Sequence, residues 1–203
     1  MKFYVEITLS PDIEASISFN FLWQKVYQQL HLKFVEMKDE STSPSPPFEG
    51  GSLQPIGVSF PHYDAKANTL GDNIRLFASD FEILERFNAR QTLKKFIDYV
   101  HVTNIRNVPS NVKYGCFQRL QLKTSNLRLA RRKAKRENID VESVLSNFQR
   151  VEELKMPPFV WIQSASNGEK FKLFVVYNEL ANDNCAAGFG TYGLSGESTV
   201  PIF

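Results

Sequence analysis

Five cations near the middle of the chain are spaced as on one face of an α-helix. Arg, Lys, Leu and Ala are strong helix formers, and Ser125 is a suitable N-cap for the helix predicted here. The cations recur at i, i+3, i+4, i+7 and i+8, at Arg128, Arg131, Arg132, Lys135 and Arg136. Like charges this close repel each other, and a polyphosphate backbone would relieve the repulsion. The alternative is a solvated surface helix.

The distribution of charge favours binding of a nucleic acid over that alternative. The chain of 203 residues has 24 basic and 22 acidic side chains, a net charge of only +2. Nine of the basic residues fall between Lys113 and Arg136, where there is no Asp or Glu. Positive charge concentrated in one segment is the electrostatic signature of a nucleic-acid site.

Histidine is the side chain whose ordinary pKa suits proton transfer near neutral pH. The chain has three, His31 on a predicted helix, His62 after a predicted strand and His101 within one. For a lone histidine, a surface or packing role is the common alternative. No Cys or His spacing resembles a zinc site and there is no glycine-rich phosphate loop, so we expect no metal and no cofactor.

The first 108 residues are predicted to form an α+β domain of the ferredoxin-like, RRM-like type. Apolar periodicity gives strands at 3–9, 56–60, 73–78 and 99–108, a helix at 18–35 and a second helix that starts at Asp80 and runs through Phe87. The order strand, helix, strand, strand, helix, strand is that of the split βαβ fold. Residues 38–55 are rich in Pro, Ser and Gly and are predicted to be a flexible loop.

Residues 109–203 are predicted to form a smaller C-terminal α+β domain. It would contain a strand at 114–122, the basic helix, a second helix capped by Asp140 that includes Leu145 and Phe148, and a hairpin of strands 159–164 and 171–177. Asn167-Gly168 is a strong hairpin signal between those strands. The sequence has no apolar run of membrane-spanning length and no signal-peptide pattern, so a cytoplasmic location without membrane contact is expected.

Four motifs, taken in order with the basic helix, resemble one family over nearly the whole chain. They are Ile56–Pro61 (IGVSFP), Arg119–Gln121 (RLQ), Ser164–Gly168 (SASNG) followed by FKLF, and Tyr192–Ser195 (YGLS). The chain is similar to the repeat-cleaving endoribonucleases of type I-F CRISPR systems, the Csy-four or Cas-six-f family. The resemblance implies a ferredoxin-like domain followed by a domain that carries an arginine-rich helix.

The resemblance also implies an activity. Family members cut the CRISPR transcript at the 3′ base of the repeat stem-loop without a metal, by attack of the substrate's own 2′-hydroxyl. The products are a 2′,3′-cyclic phosphate and a 5′-hydroxyl, and the enzyme stays bound to the mature crRNA inside an interference complex. The expected partners are therefore repeat RNA and the other subunits of that complex. One alternative is a catalytically weak or inactive subunit that binds the crRNA hairpin with the same fold, and another is a general RNA-binding protein with a ferredoxin-like domain.

Three residues take catalytic roles by this resemblance. His31 would be the general base, when Leu22, Val26 and Leu30-His31 are matched to the family's apolar pattern with two extra residues before the helix. An ungapped match would place Tyr27 there instead, one helical turn earlier, but a phenol with a pKa of about 10 is a poor base at neutral pH. Ser164 would hold the ribose and its 2′-hydroxyl, and Tyr192 would orient the site.

The remaining assignments concern RNA binding. Arg119 and Gln121 match a pair that reads base edges at the foot of the stem, and Arg and Gln can bind guanine and adenine bidentately. Ser166 matches a contact near the cut, and Phe171 an aromatic that stacks below the terminal base pair. The basic helix would lie in the major groove of the stem. It carries lysine where the family has mostly arginine, which weakens base readout but not phosphate binding.

Overall fold

The computed structural model of the protein describes residues 1–10, 17–40, 54–121, 126–144, 156–164, 168–180 and 188–203. The fold is α+β, with two antiparallel sheets, four α-helices and a short helical segment at 141–144 within those residues. Predicted features at Ser125, Leu145, Phe148, Ser166 and Asn167 lie outside the described residues.

The first sheet is formed by the N-terminal half. Its elements are β1 (Phe3–Leu9), α1 (Phe19–Glu40), β2 (Gly57–Ser59), β3 (Asn73–Ala78), α2 (Phe81–Phe87), α3 (Ala89–Thr92), a 3-10 turn (Lys94–Phe96), β4 (Val100–Val102) and β5 (Arg106–Asn107). The strand order is β2-β3-β1-β4, β5 also pairs with β1, and every pairing is antiparallel. The predicted order of helices and strands is confirmed.

The strand predicted at 99–108 is wrong in one respect, because it is two short strands. The Thr103 hydroxyl accepts a hydrogen bond from the Glu6 backbone N–H, and the Thr103 N–H donates to the Glu6 carbonyl. The Thr103 side chain thus replaces a backbone acceptor for the Glu6 N–H. The regular backbone hydrogen bonds to β1 are interrupted at this point, so β4 and β5 are separate strands. The second helix is also interrupted, because Asn88 adopts a left-handed conformation between α2 and α3.

Two further N-terminal predictions need correction. Residues 38–40 of the loop predicted at 38–55 belong to α1, residues 41–53 lie outside the described residues, and Gln54 near its end is packed rather than flexible. Gln54 is buried and forms a two-way backbone bridge with Phe189. Asp80 precedes α2 as predicted but makes no side-chain cap, since its carboxylate accepts a hydrogen bond from the Ser79 hydroxyl instead.

The second sheet is formed by the C-terminal half. Its elements are β6 (Lys113–Leu120), α4 (Asn126–Glu137), β7 (Phe159–Gln163), β8 (Lys170–Leu180) and β9 (Val200–Ile202), with the strand order β7-β8-β6-β9. The strands of the hairpin and the basic helix are confirmed. The Asp140 carboxylate accepts from the N–H groups of Glu142 and Ser143, as predicted for a cap, and 141–144 is helical.

Ala134 of α4 is buried against Val141 and Val144, in a small cluster that is separate from the main core within the described residues. The described part of the basic helix therefore packs on the helical segment 141–144 that follows it.

One hydrophobic core includes side chains from both sheets. α1 buries Leu22, Val26, Leu30 and Phe34 in it, together with residues of β7 and β8. Gly57 of β2 lets the C-terminal segment approach closely, since a Cβ there would lie 2.5 Å from Val200 and 2.6 Å from Phe189. This packing brings residues 189–194 against β2 and α1. The described residues include no helix that is long and apolar enough to span a bilayer.

Candidate active site

The side chain of His31 lies against a tight loop near the end of the chain. Its Nδ1 atom is 2.8 Å from the carbonyl oxygen of Thr191, and its ring stacks on Tyr192 with centroids 4.3 Å apart and an interplanar angle of 15°. The loop is held by hydrogen bonds from Gly190 N–H to the Leu194 carbonyl and from Gly193 N–H to the Gly190 carbonyl. The fold thus brings His31 into contact with Thr191, which lies 160 positions later in the sequence.

The contact with Thr191 fixes the tautomer of His31. A carbonyl oxygen only accepts, so Nδ1 carries the proton and donates, and Nε2 of the neutral ring keeps its lone pair. Burial lowers the pKa of the His31 imidazole, the hydrogen bond to Thr191 opposes that shift, and the positive charge of Arg119 lowers the pKa further. The ring is therefore neutral at neutral pH, with an unprotonated nitrogen at Nε2.

Tyr27, one turn before His31, has a different environment. It is fully buried, and its hydroxyl donates to the Tyr192 carbonyl oxygen at 2.8 Å. Burial and the neighbouring Tyr192 phenol raise the pKa of Tyr27 well above its ordinary value. Tyr27 therefore keeps its proton at neutral pH and acts as a support for the loop.

Tyr192 is the centre of a cluster of residues from α1, β6 and β8. Besides stacking on His31, its ring packs edge-to-face with Phe171 at 6.4 Å, and the Arg119 guanidinium lies over it at 5.5 Å. Arg119 also lies 5.2 Å from the centroid of the Phe171 ring. Burial raises the pKa of the Tyr192 phenol, and the charge of Arg119 partly offsets this. Tyr192 thus contacts three other site residues predicted from sequence, His31, Phe171 and Arg119.

Ser164 is connected to α1 through its neighbour in the chain. The side-chain amide of Gln28 donates to the Gln163 carbonyl at 3.0 Å and accepts from the Gln163 N–H at 2.8 Å. Ser164 follows directly, and its backbone closes the hairpin turn by bonding to Glu169 and Gly168. Gln28 and His31 are three residues apart on α1 and therefore lie on the same face of the helix. That face contacts the hairpin through Gln28 and also carries His31.

The predicted RNA-binding cations are at the surface. Arg131, Arg132, Lys135 and Arg136 of α4 are exposed, whereas only the backbone of Arg128 is described. Glu137 pairs with Arg136 at 3.0 Å and with Lys133 at 3.9 Å. Gln121 is exposed just beyond the end of β6. Arg119, two residues earlier, is also exposed and belongs to the Tyr192 cluster.

The other two histidines lie apart from this cluster. His62 is exposed and pairs through Nδ1 with the Asp72 carboxylate at 2.5 Å. His101 is exposed on β4, rather than packed as its position in a strand suggested. Among the described residues no group of His, Cys, Asp or Glu is arranged to hold a metal ion.

Sequence reasoning missed three contributors to the site. These are the Gln28 amide, the supporting hydroxyl of Tyr27 and the Thr191 carbonyl. Each acts on backbone groups of a distant segment, and no local pattern in the sequence carries that information. The spacing of Gln28 from His31 was the one available signal, because residues three apart share a helix face.

Comparison with known proteins assigns the chain to a class of CRISPR-associated proteins. The family model described as "CRISPR-associated protein (Cas_Csy4)" matches residues 4–203. The protein of Pseudomonas aeruginosa (strain UCBPP-PA14) named CRISPR-associated endonuclease Cas6/Csy4 is 30% identical over 204 residues, covering the whole of both chains. The protein of the same name from Escherichia coli (strain UTI89 / UPEC) is 27% identical over 204 residues, again with full coverage. The chain belongs to the Csy4 family.

Proposed function

We propose that this protein is a metal-independent endoribonuclease that cuts CRISPR precursor RNA at the 3′ base of the repeat stem-loop. The observation that carries the proposal is the hydrogen bond from His31 Nδ1 to the Thr191 carbonyl, which leaves a basic Nε2 on a neutral ring. The two full-length relatives named as CRISPR-associated endonucleases support the same reaction class.

In the proposed reaction, His31 Nε2 takes the proton of the ribose 2′-hydroxyl at the cut. The 2′-oxygen bonds to the adjacent phosphorus, the bond from phosphorus to the 5′-oxygen breaks, and that oxygen takes a proton from solvent. The products are a 2′,3′-cyclic phosphate and a 5′-hydroxyl. General-base catalysis of this kind contributes about 10²–10⁴-fold.

The other site residues have supporting roles in this proposal. Ser164 holds the ribose, and Tyr192 fixes the His31 ring by stacking on it. Arg119 and Gln121 read base edges at the foot of the stem, Phe171 stacks below the terminal pair, and Ser166 contacts RNA near the cut. The cations of α4 bind the stem, since phosphate contacts supply most of the affinity. They are Arg128, Arg131, Arg132, Lys135 and Arg136.

We further propose that residues 1–108 form a ferredoxin-like domain that carries the catalytic helix, and that residues 109–203 form the RNA-binding domain. The strand order β2-β3-β1-β4, with α1 after β1 and α2 after β3, supports this description. Retention of the cut hairpin would make the protein a crRNA-bound subunit of a type I-F interference complex.

Cleavage of the repeat hairpin from the source genome, in EDTA, tests this function. We expect the wild type to cut at the 3′ base of the stem and to leave a cyclic phosphate, identified by mass. His31→Ala should lower the single-turnover rate by at least 10²-fold and keep tight binding. His62→Ala is the matched control, because His62 is exposed and lies apart from the Tyr192 cluster.

Two results would contradict the proposal. Tight binding without cleavage by the wild type would leave only the hairpin-binding subunit. Unchanged cleavage by His31→Ala would remove His31 from the base position.

A further inference from the structure

The outer face of the second sheet presents an exposed aromatic and cationic surface. Trp161 on β7 is 38% exposed and pairs across the sheet with Lys172 on β8. The Lys172 ammonium lies 4.4 Å from the centroid of the Phe159 ring and 5.4 Å from that of the Trp161 ring. We call Phe159, Trp161 and Lys172 the outer platform.

The outer platform is turned away from the proposed cut site. Along β7 and β8, Val160, Ile162 and Leu173 point into the main core and are buried, so the alternate residues face the other side. α1 and His31 lie on the core side. Trp161 and the half-buried Phe159 thus form an aromatic patch beside a lysine on this face.

A groove joins the outer platform to the residues proposed to read RNA bases. Its volume is about 590 Å³, and its lining includes Arg119, Gln121, Met156, Trp161, Phe171 and Lys172. The same cavity thus contains a proposed base-reading pair at one side and the indole at the other. Met156 is 48% exposed in it and adds apolar surface.

Charge on this face matches a polyanion. Lys170 and Lys172 both lie on it, and the described strands β6, β7 and β8 place no Asp or Glu there. Aromatic rings combined with cations bind single-stranded nucleic acid by stacking the bases and tracking the phosphates.

We propose that the outer platform binds an unpaired nucleotide on the 5′ side of the repeat stem, with its base stacked on Trp161 and a phosphate near Lys172. The inference rests on the proposed function. The 3′ strand is committed to the cut site on the α1 side of the sheet. The 5′ strand leaves the same terminal base pair and is free to follow the groove to the opposite face.

Affinity measured with four RNAs tests this site. Each is the repeat hairpin from the source genome with a 2′-deoxyribose at the cut, which blocks the reaction. One is blunt, one has three unpaired 5′ nucleotides, one has the same flank without its bases, and one has three unpaired 3′ nucleotides. We expect only the intact 5′ flank to tighten binding, by about tenfold.

Three variants separate stacking from structure. Trp161→Ala should lose the gain from the 5′ flank and keep the affinity for the blunt hairpin, whereas Trp161→Phe should keep part of the gain. Phe81→Ala is the control, an exposed aromatic on α2 of the other half of the chain. Quenching of Trp161 fluorescence by the flanked hairpin is a second readout, because the other tryptophan, Trp23, is buried.

The outcomes distinguish this site from the proposed function. If the blunt hairpin is bound and an unblocked hairpin with the 3′ flank is cut, but the 5′ flank adds nothing, the outer platform is not an RNA site. An equal gain in Trp161→Ala, or a gain from the 3′ flank alone, also overturns it. If no hairpin is bound or cut, the proposed function itself fails.

Discussion

Tyr27 and His31 lie one turn apart on α1, and their side chains bind the carbonyl oxygens of two consecutive residues, Tyr192 and Thr191. The loop is thereby held at two adjacent points, one by a phenol and one by an imidazole. The two side chains share an anchoring role, but only His31 has a second polar atom with which to act on a substrate.

Replacing Tyr27 with Phe should separate anchoring from catalysis. The change leaves the Tyr192 carbonyl without its donor, which we expect to lower the free energy of unfolding by about 1–3 kcal/mol. Cleavage should fall only several-fold, because the base remains. Urea unfolding and single-turnover cleavage measure the two effects. A loss of activity as large as that of His31→Ala would instead place the reaction at Tyr27.

The pH dependence of cleavage should report the neutral form of His31. Burial lowers the pKa of His31 below its ordinary value of about 6.5, so kcat/KM should be flat near pH 7 and fall only at more acidic pH. An NMR titration of the His31 ring in the free protein gives the same pKa directly. A midpoint above 6.5 in the free protein would contradict the buried, neutral state.

The free energy of unfolding should also depend on the protonation of His31 and should fall at acidic pH. The unfolded chain binds a proton at His31 at a higher pH than the folded chain does, since the folded pKa is lowered. The contribution of neutral His31 is therefore complete above about pH 6.5 and is lost as the pH falls towards the folded pKa. Urea unfolding of wild type and His31→Gln between pH 5 and 8 should show a smaller acid-side loss in the variant.

Gln28→Ala should impair cleavage more than binding. It removes both hydrogen bonds to Gln163, so Ser164 loses its connection to the helix that carries His31. We expect the single-turnover rate to fall about tenfold with little change in affinity, as displacement of a positioned group does. Gln29→Ala is the control, because Gln29 faces the groove beside α2 and α3. Equal rates for both variants would remove Gln28 from the site.

Gly193→Ala should be much more damaging than Gly168→Ala. Both glycines have a left-handed φ, +69° and +73°, so alanine is strained at either position. At Gly193 the added Cβ would also lie 2.1 Å from Val58 Cγ2, whereas nothing lies within 4 Å at Gly168. We expect a further loss of about 1–3 kcal/mol from overpacking at Gly193. Urea unfolding that gave equal losses would contradict this packing.

The cations of α4 should differ in their share of RNA binding. Arg132 is exposed and has no acidic partner among the described residues, whereas Lys133 pairs with Glu137. Arg132→Gln should weaken hairpin binding and reduce the slope of log K against log salt by about 1. Lys133→Gln should change that slope less. Titrations at several salt concentrations measure both, and a larger effect at Lys133 would point to a different binding face.

Patterns among neighbouring residues in the sequence predicted individual helices and strands of the fold. The period of apolar residues in α1, the alternation in β1 and the spacing of cations in α4 each give one element. The break between β4 and β5 could not be predicted in this way, because it depends on Thr103 meeting Glu6 across the sheet. The backbone bridge between Gln54 and Phe189 could not be predicted either, because it joins residues that are far apart in the sequence.

The candidate site shows the same division. The roles proposed for His31, Ser164 and Tyr192 came from the resemblance of motifs, and motif order gave no distances between them. The contact of Gln28 with Gln163 joins residues 135 positions apart, and two glutamines give no signal of such a pairing in sequence. What the structure adds is the tautomer of His31, which depends on one backbone carbonyl.

The span of 160 residues between His31 and Thr191 has a consequence for protein synthesis. The helix that carries the histidine leaves the ribosome long before the loop that fixes its tautomer. A nascent chain that extends only to Gln163 contains α1 and every strand of the first sheet but lacks the Thr191 carbonyl and Tyr192. Translation must therefore pass the loop before the imidazole is oriented, and an unfinished polypeptide lacks the assembled cluster around Tyr192.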